Sequence, residues 1–107
     1  MIESKSSFPV FIVKDLDAAK SFYTENLDFD VVFSGDWYIH LVSSTGVQVG
    51  FMLPEQPTQP PMFQKPHSGE GVIFSLEVED ADAAFAVAKS KLLNIALELR
   101  SEDWGQR

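Results

Sequence analysis

Asp15-Leu16-Asp17-Ala18-Ala19 returns as Asp80-Ala81-Asp82-Ala83-Ala84, 65 residues further on (80 − 15). Each copy follows an apolar stretch. Phe8 to Val13 runs into Lys14-Asp15, and Ile73 to Val78 runs into Glu79-Asp80. The pattern is that of a strand handing over to a helix. Asp15 and Asp80 are N-cap residues, whose carboxylates accept hydrogen bonds from backbone N–H groups left open at a helix start. Asp17 and Asp82 add negative charge in the first turn, toward the positive end of the helix dipole. Apolar residues then recur at helical spacing. In the first copy they are Leu16, Ala19, Phe22, Tyr23 and Leu27; in the second, Ala81, Ala84, Phe85, Ala88 and Leu92. Each helix therefore has one face to bury, most simply on a sheet.

Three strand candidates follow the first helix. Phe29 to Phe33 stops at Ser34-Gly35-Asp36, Trp37 to Val42 stops at Ser43-Ser44-Thr45-Gly46, and Val47 to Leu53 stops at Pro54. Short turn-forming stretches between apolar runs make these hairpins. The first unit, residues 8–53, is thus β-α-β-β-β. Residues 54–71 form a linker with Pro54, Pro57, Pro60, Pro61, Pro66, Gly69 and Gly71. Proline at this density excludes a helix or an inner strand. Met62 and Phe63 within it are apolar, so a packed flap and a plain surface connection are both open. The second unit, residues 72–107, offers only Ile95 to Leu99 as a clear strand after its helix. By the offset, Arg107 corresponds to Val42, and the counterpart of the last strand is missing. The expectation is a longer chain, truncated or disordered here; the alternative is a partner that supplies the strand.

The whole is read as one domain, residues 1–107. Its 107 residues suit a single modest core, and 45% hydrophobic and 12% aromatic residues are those of a folded chain. The net charge of −8 disfavours nucleic acid and anionic lipid as partners. No apolar run approaches the roughly 18 residues of a membrane helix. The chain has no cysteine, which excludes disulfides and thiolate chemistry. A cytoplasmic location is the default expectation.

Paired β-α-β-β-β units resemble the vicinal oxygen chelate superfamily, which includes glyoxalase, bleomycin-resistance and dioxygenase proteins. The residues that carry the resemblance are Phe8-Pro9-Val10-Phe11-Ile12-Val13-Lys14-Asp15 and Ala18-Ala19-Lys20-Ser21-Phe22-Tyr23-Thr24-Glu25-Asn26-Leu27. Glu102-Asp103-Trp104-Gly105-Gln106-Arg107 looks like the stretch before the family's penultimate strand. The resemblance implies an α+β fold in which two units curl into half-barrels around a pocket. It also implies, for most enzymes of the family, a divalent metal held by His, Gln or Glu.

Carried onto this sequence, those ligand positions fall on Phe8, on Ile73 and at about Gly50, with the last on the strand that is absent. None of these three side chains donates a lone pair to a hard cation. A family-type site would need Gln48, His40 or His67 to shift into place. The resemblance therefore points to the metal-free branch, which binds ligands without transforming them.

The candidate ligand-binding residues are Trp37, Tyr38, His40, Phe51, Phe63, Glu77 and Trp104. Aromatic groups with a polar tip stack flat or cationic ligands, and they equally fill a core. Alternation along the strand sets Trp37, Ile39 and Leu41 on one face and Tyr38, His40 and Val42 on the other. His40 alone reads more readily as a hydrogen-bonded structural histidine than as a catalyst. Glu77 shares a face with Ile73 and Ser75, where a carboxylate can act as a base or anchor a cation. Phe51, Met52 and Phe63 are candidates for an apolar wall. The favoured function is metal-independent binding of a small organic molecule, cationic or aromatic, by a homodimer, with antibiotic sequestration as one use and no cofactor. The alternative is a divalent-metal-dependent lyase, isomerase or dioxygenase.

Overall fold

A computed structural model describes residues 1–95. The chain divides into two units, Met1–Gly71 and Val72–Arg107. In the first unit the elements are β1 (Val10–Ile12), α1 (Leu16–Asn26), β2 (Phe29–Ser34), β3 (Tyr38–Ser43) and β4 (Gln48–Met52), followed by a 3-10 turn at Pro61–Phe63. The strands form one sheet in the order β1-β4-β3-β2. The three consecutive strands pair antiparallel as hairpins, and β1 closes the sheet by pairing parallel with β4. The architecture is α+β.

Two glycines are needed where they stand. Gly46 adopts φ +93 in the turn between β3 and β4, a conformation that costs a residue with a Cβ. The turn is closed by Gly46 N–H donating to the Ser43 carbonyl (3.0 Å) and Ser43 N–H to that of Val47 (2.8 Å). The second, Gly50, is set by close packing at the site described below.

Register separates the two faces of the sheet. Ile39 pairs with Phe51 and Leu41 with Val49, and with Phe29 these side chains are buried. Helix α1 covers this face. Tyr23 brings its ring to within 5.4 Å of Phe29 and 5.1 Å of Phe51, centroid to centroid. Leu16, Ala19, Tyr23 and Leu27 are half-buried along the helix, whereas Phe22 stays exposed.

Both N-caps form as the sequence dictates. Asp15 accepts from Ala18 N–H and Asp80 from Ala83 N–H, each at 3.0 Å. Asp15→Ala is expected to lower stability by about 1 kcal/mol, as read from the urea midpoint. Asp15→Asn, which retains the acceptor, should recover most of that loss.

The second unit contains α2 (Ala81–Ser90), with Ala81, Phe85 and Ala88 half-buried along one face. Two expectations are corrected here. Helical spacing puts Leu92 on the apolar face of this helix, yet it lies beyond the helix end, in the left-handed region (φ 59) and 90% exposed. Leu93 and Ile95 are the half-buried residues there. Ile73 to Val78, expected as a strand, carries no ladder among the described residues. A strand exists only against a partner. In the first unit β1 obtains its ladder from β4. Phe74 and Leu76 are half-covered while Ile73, Ser75 and Glu77 are exposed, so the expected alternation is kept. The expected strand Ile95 to Leu99 lies, beyond Ile95, outside the described residues, as does Trp104.

Candidate functional site

The face of the sheet opposite α1 belongs to Val10 and Ile12 of β1, Tyr38 and His40 of β3, and Gln48, Gly50 and Met52 of β4, as the register requires. Over part of this face lies a cavity of about 490 Å³. Phe8, Val10, Ile12 and Met52 make its floor and Trp37 and Tyr38 one side; Gln59 and Phe63 reach it from residues 54–71.

That proline-rich stretch packs as a flap. Gln64 staples it: its side-chain N–H₂ donates to the carbonyls of Gln56 (3.2 Å) and Gln59 (2.8 Å). Its own carbonyl accepts from Glu55 N–H at 2.9 Å. Pro61 at the first position of the 3-10 turn has no N–H to satisfy, and Phe63 N–H donates to the Pro60 carbonyl (2.9 Å). His67 N–H then donates to the Ile12 carbonyl (2.8 Å), which fastens the end of the flap to β1. These backbone bonds hold Phe63 and Gln59 in place.

A chain of side-chain hydrogen bonds runs across the same face. The Tyr38 hydroxyl meets His40 Nδ1 at 2.7 Å, and His40 Nε2 meets Gln48 Oε1 at 2.7 Å. With Gln48 Oε1 as acceptor, Nε2 carries the imidazole proton, so Nδ1 accepts the proton of Tyr38. Phe8 stands edge-on to the imidazole, with centroids 4.6 Å apart and planes at 89°. Burial raises the pKa of the Tyr38 phenol above the ordinary tyrosine value, and that of Tyr23 likewise. The Tyr38 ring lies across Gly50. A Cβ at that glycine would stand 2.8 Å from Tyr38 Cζ and closer still to the hydroxyl.

The structure brings Trp37, Tyr38 and Phe63 together at the cavity. His40 stands behind Tyr38 in the hydrogen-bonded chain. Trp37 and Tyr38 line the same cavity, although alternation assigned them to opposite faces. The reason is local: β3 begins at Tyr38, Trp37 sits in the bend before it, and a period of two does not run through a bend. Phe51 is turned to the core, 4% exposed and stacked with Phe11 at 6.1 Å. Glu77 is an exposed residue of the second unit, and Trp104 is outside the described residues. Sequence reading missed Phe8, Val10, Ile12 and Gln59 as lining residues. For Phe8 the signal was present, since the resemblance already placed that position in the pocket.

The positions the resemblance gives to metal ligands are here a phenyl ring beside an imidazole and a glycine under a phenol. Both ring nitrogens of His40 are engaged, by Tyr38 and Gln48. Among the described residues no group of three or more His, Cys, Asp or Glu side chains converges as a metal site would need. Among the described residues, the side chains at Phe8 and Gly50 offer no lone pair to the family's metal.

A family model of the Glyoxalase/Bleomycin resistance protein/Dioxygenase superfamily matches residues 7–107. The chain belongs to this superfamily. Among solved structures, a superfamily member from Sphaerobacter thermophilus is 24% identical, with a TM-score of 0.76 over 100% of this chain and 86% of its own. The bleomycin resistance determinant encoded on transposon Tn5 is 18% identical, with a TM-score of 0.65 over 95% of this chain and 82% of its own. A bleomycin-binding protein solved in complex with bleomycin is 20% identical, with a TM-score of 0.59 over 95% and 83%. At these identities the likeness is one of fold. No curated protein matches the chain.

Proposed function

We propose that this superfamily member binds a small organic molecule without a metal, and that antibiotic sequestration is one use of such binding. One observation carries the reading. The family's pocket face holds an apolar, aromatic-walled cavity of about 490 Å³, and Phe8 and Gly50 occupy the ligand positions implied by the resemblance. A cavity of this size suits a drug-sized ligand. That one of the solved relatives holds bleomycin supports the ligand class, not its identity. The ligand is aromatic in this reading, because Trp37, Phe8 and Phe63 offer ring faces and edges for stacking.

A homodimer belongs to the same reading. Among the described strands β2 is an edge of the sheet, and Val32 and Phe33 on it are 58% and 57% exposed. Unpaired apolar edges of this kind favour association. A cytoplasmic location is retained as part of the same proposal. No helix among the described residues is long and apolar enough to cross a membrane.

Elemental mass spectrometry tests the metal-free part. The chain is incubated with Ni, Zn, Mn or Fe(II) and desalted. No retained ion is the expected result. Near-stoichiometric retention of one ion would overturn the reading and favour a metal-dependent lyase, isomerase or dioxygenase.

A further inference from the structure

The cavity holds further information in the charges it lacks. Its wall of Phe8, Val10, Ile12, Trp37, Met52 and Phe63 is apolar, and its polar groups are Tyr38 and Gln59. None of the described residues that line it carries a formal charge, and burial keeps the Tyr38 phenol protonated beyond the ordinary tyrosine range. A separate cleft is lined by charged residues, Lys14, Asp15, Asp17, Lys20 and Asp36 among them. An ion entering the cavity would lose hydration and gain no counter-charge from these walls. A net charge of −8 attracts cations to the surface as a whole, but no carboxylate is among the described residues of this lining.

The hydrogen-bonded chain adds a direction. With the imidazole neutral and Gln48 Oε1 accepting from His40 Nε2–H, Nδ1 is left as the acceptor for the Tyr38 proton, which then points inward. What remains on Tyr38 for a guest is oxygen lone-pair density. We infer that the cavity selects an uncharged, flat aromatic molecule bearing an O–H or N–H donor, which Tyr38 Oη accepts. The inference rests on the reading that this cavity binds a small molecule. Tyr38 is its specificity-determining residue, and His40 and Gln48 are positioning residues that set its polarity.

The test is calorimetric titration of the full chain with four probes of one shape: a naphthylmethanol, its methyl ether, the naphthylmethylammonium ion and the naphthoate ion. The alcohol is expected to bind roughly tenfold tighter than the ether, which lacks the donor, and than either ion. Its affinity should hold when salt rises from about 0.05 to about 0.5 M. Tyr38→Phe should abolish the preference for alcohol over ether while ether binding persists. Tightest binding of the ammonium ion, weakening with salt, would overturn the uncharged class and leave small-molecule binding intact. Equal affinity for alcohol and ether in the unmodified chain would overturn the role of Tyr38. Failure of all four to bind would defeat the binding reading itself, and this inference with it.

Discussion

Leu41→Ala is expected to lower the unfolding free energy by about 2–5 kcal/mol, the range for truncating a buried leucine. Leu41 is 0% exposed, at the centre of β3. It lies opposite Val49, itself fully buried, and beside Val31 of β2. Its neighbours along the buried face are ladder-bound β residues, which cannot slide in to fill the space. The void therefore persists, and the lost contacts add to the lost transfer energy. A domain of this size has only about 5–15 kcal/mol in hand, so the variant should unfold at a much lower urea midpoint. The cavity face should suffer as well, since Tyr38 and His40 sit on the same strand. A loss below about 1 kcal/mol would mean that this face is not the core.

Much of this core was legible in the sequence. The two Asp-led repeats placed both helix starts at the right residue, because an N-cap is a local interaction over three residues. The strands of the first unit fell within about two residues of their observed ends, since Gly35, Gly46 and Pro54 punctuate them. What failed depended on pairing. Ile73 to Val78 has the composition of a strand, and no ladder is described for it among residues 1–95. Phe51 and Met52 are adjacent and both apolar, so residue type could not say which faced the cavity and which the helix. Register decided it: Phe51 sits opposite Ile39, Met52 opposite Tyr38.

The Tyr38–His40–Gln48 chain was illegible for the same reason. His40 and Gln48 are eight residues apart, on neighbouring strands, and they meet only because the hairpin fixes their alignment. Tyr38 and His40 share a strand face at a spacing of two, yet their hydrogen bond requires the Tyr38 ring to lean back across Gly50. The glycine was noticed in the sequence only as a missing ligand. In the structure it is the space in which the tyrosine ring lies.

That reversal has a measurable consequence. Gly50→Ala is expected to destabilise the protein by about 1–3 kcal/mol, the cost of overpacking a filled site. Gly50 is not among the residues with positive φ, so its backbone accepts a Cβ, and the cost comes from side-chain collision alone. The new methyl would collide with the Tyr38 hydroxyl and ring, with Cε1 at 3.0 Å and Cζ at 2.8 Å. Tyr38 can relieve this only by swinging off His40, which leaves Nδ1 without its donor. Tyr38→Ala removes the obstacle. The double variant Gly50→Ala/Tyr38→Ala should therefore lose less than the two single losses added, with a coupling of about 0.5–3 kcal/mol in urea unfolding. Strict additivity would show that the ring does not occupy the space over Gly50. A non-additive result carries meaning beyond stability. Any side chain long enough to ligate a metal from position 50 would meet the same ring, so the phenol that shapes this cavity and the ligand the resemblance puts there exclude one another.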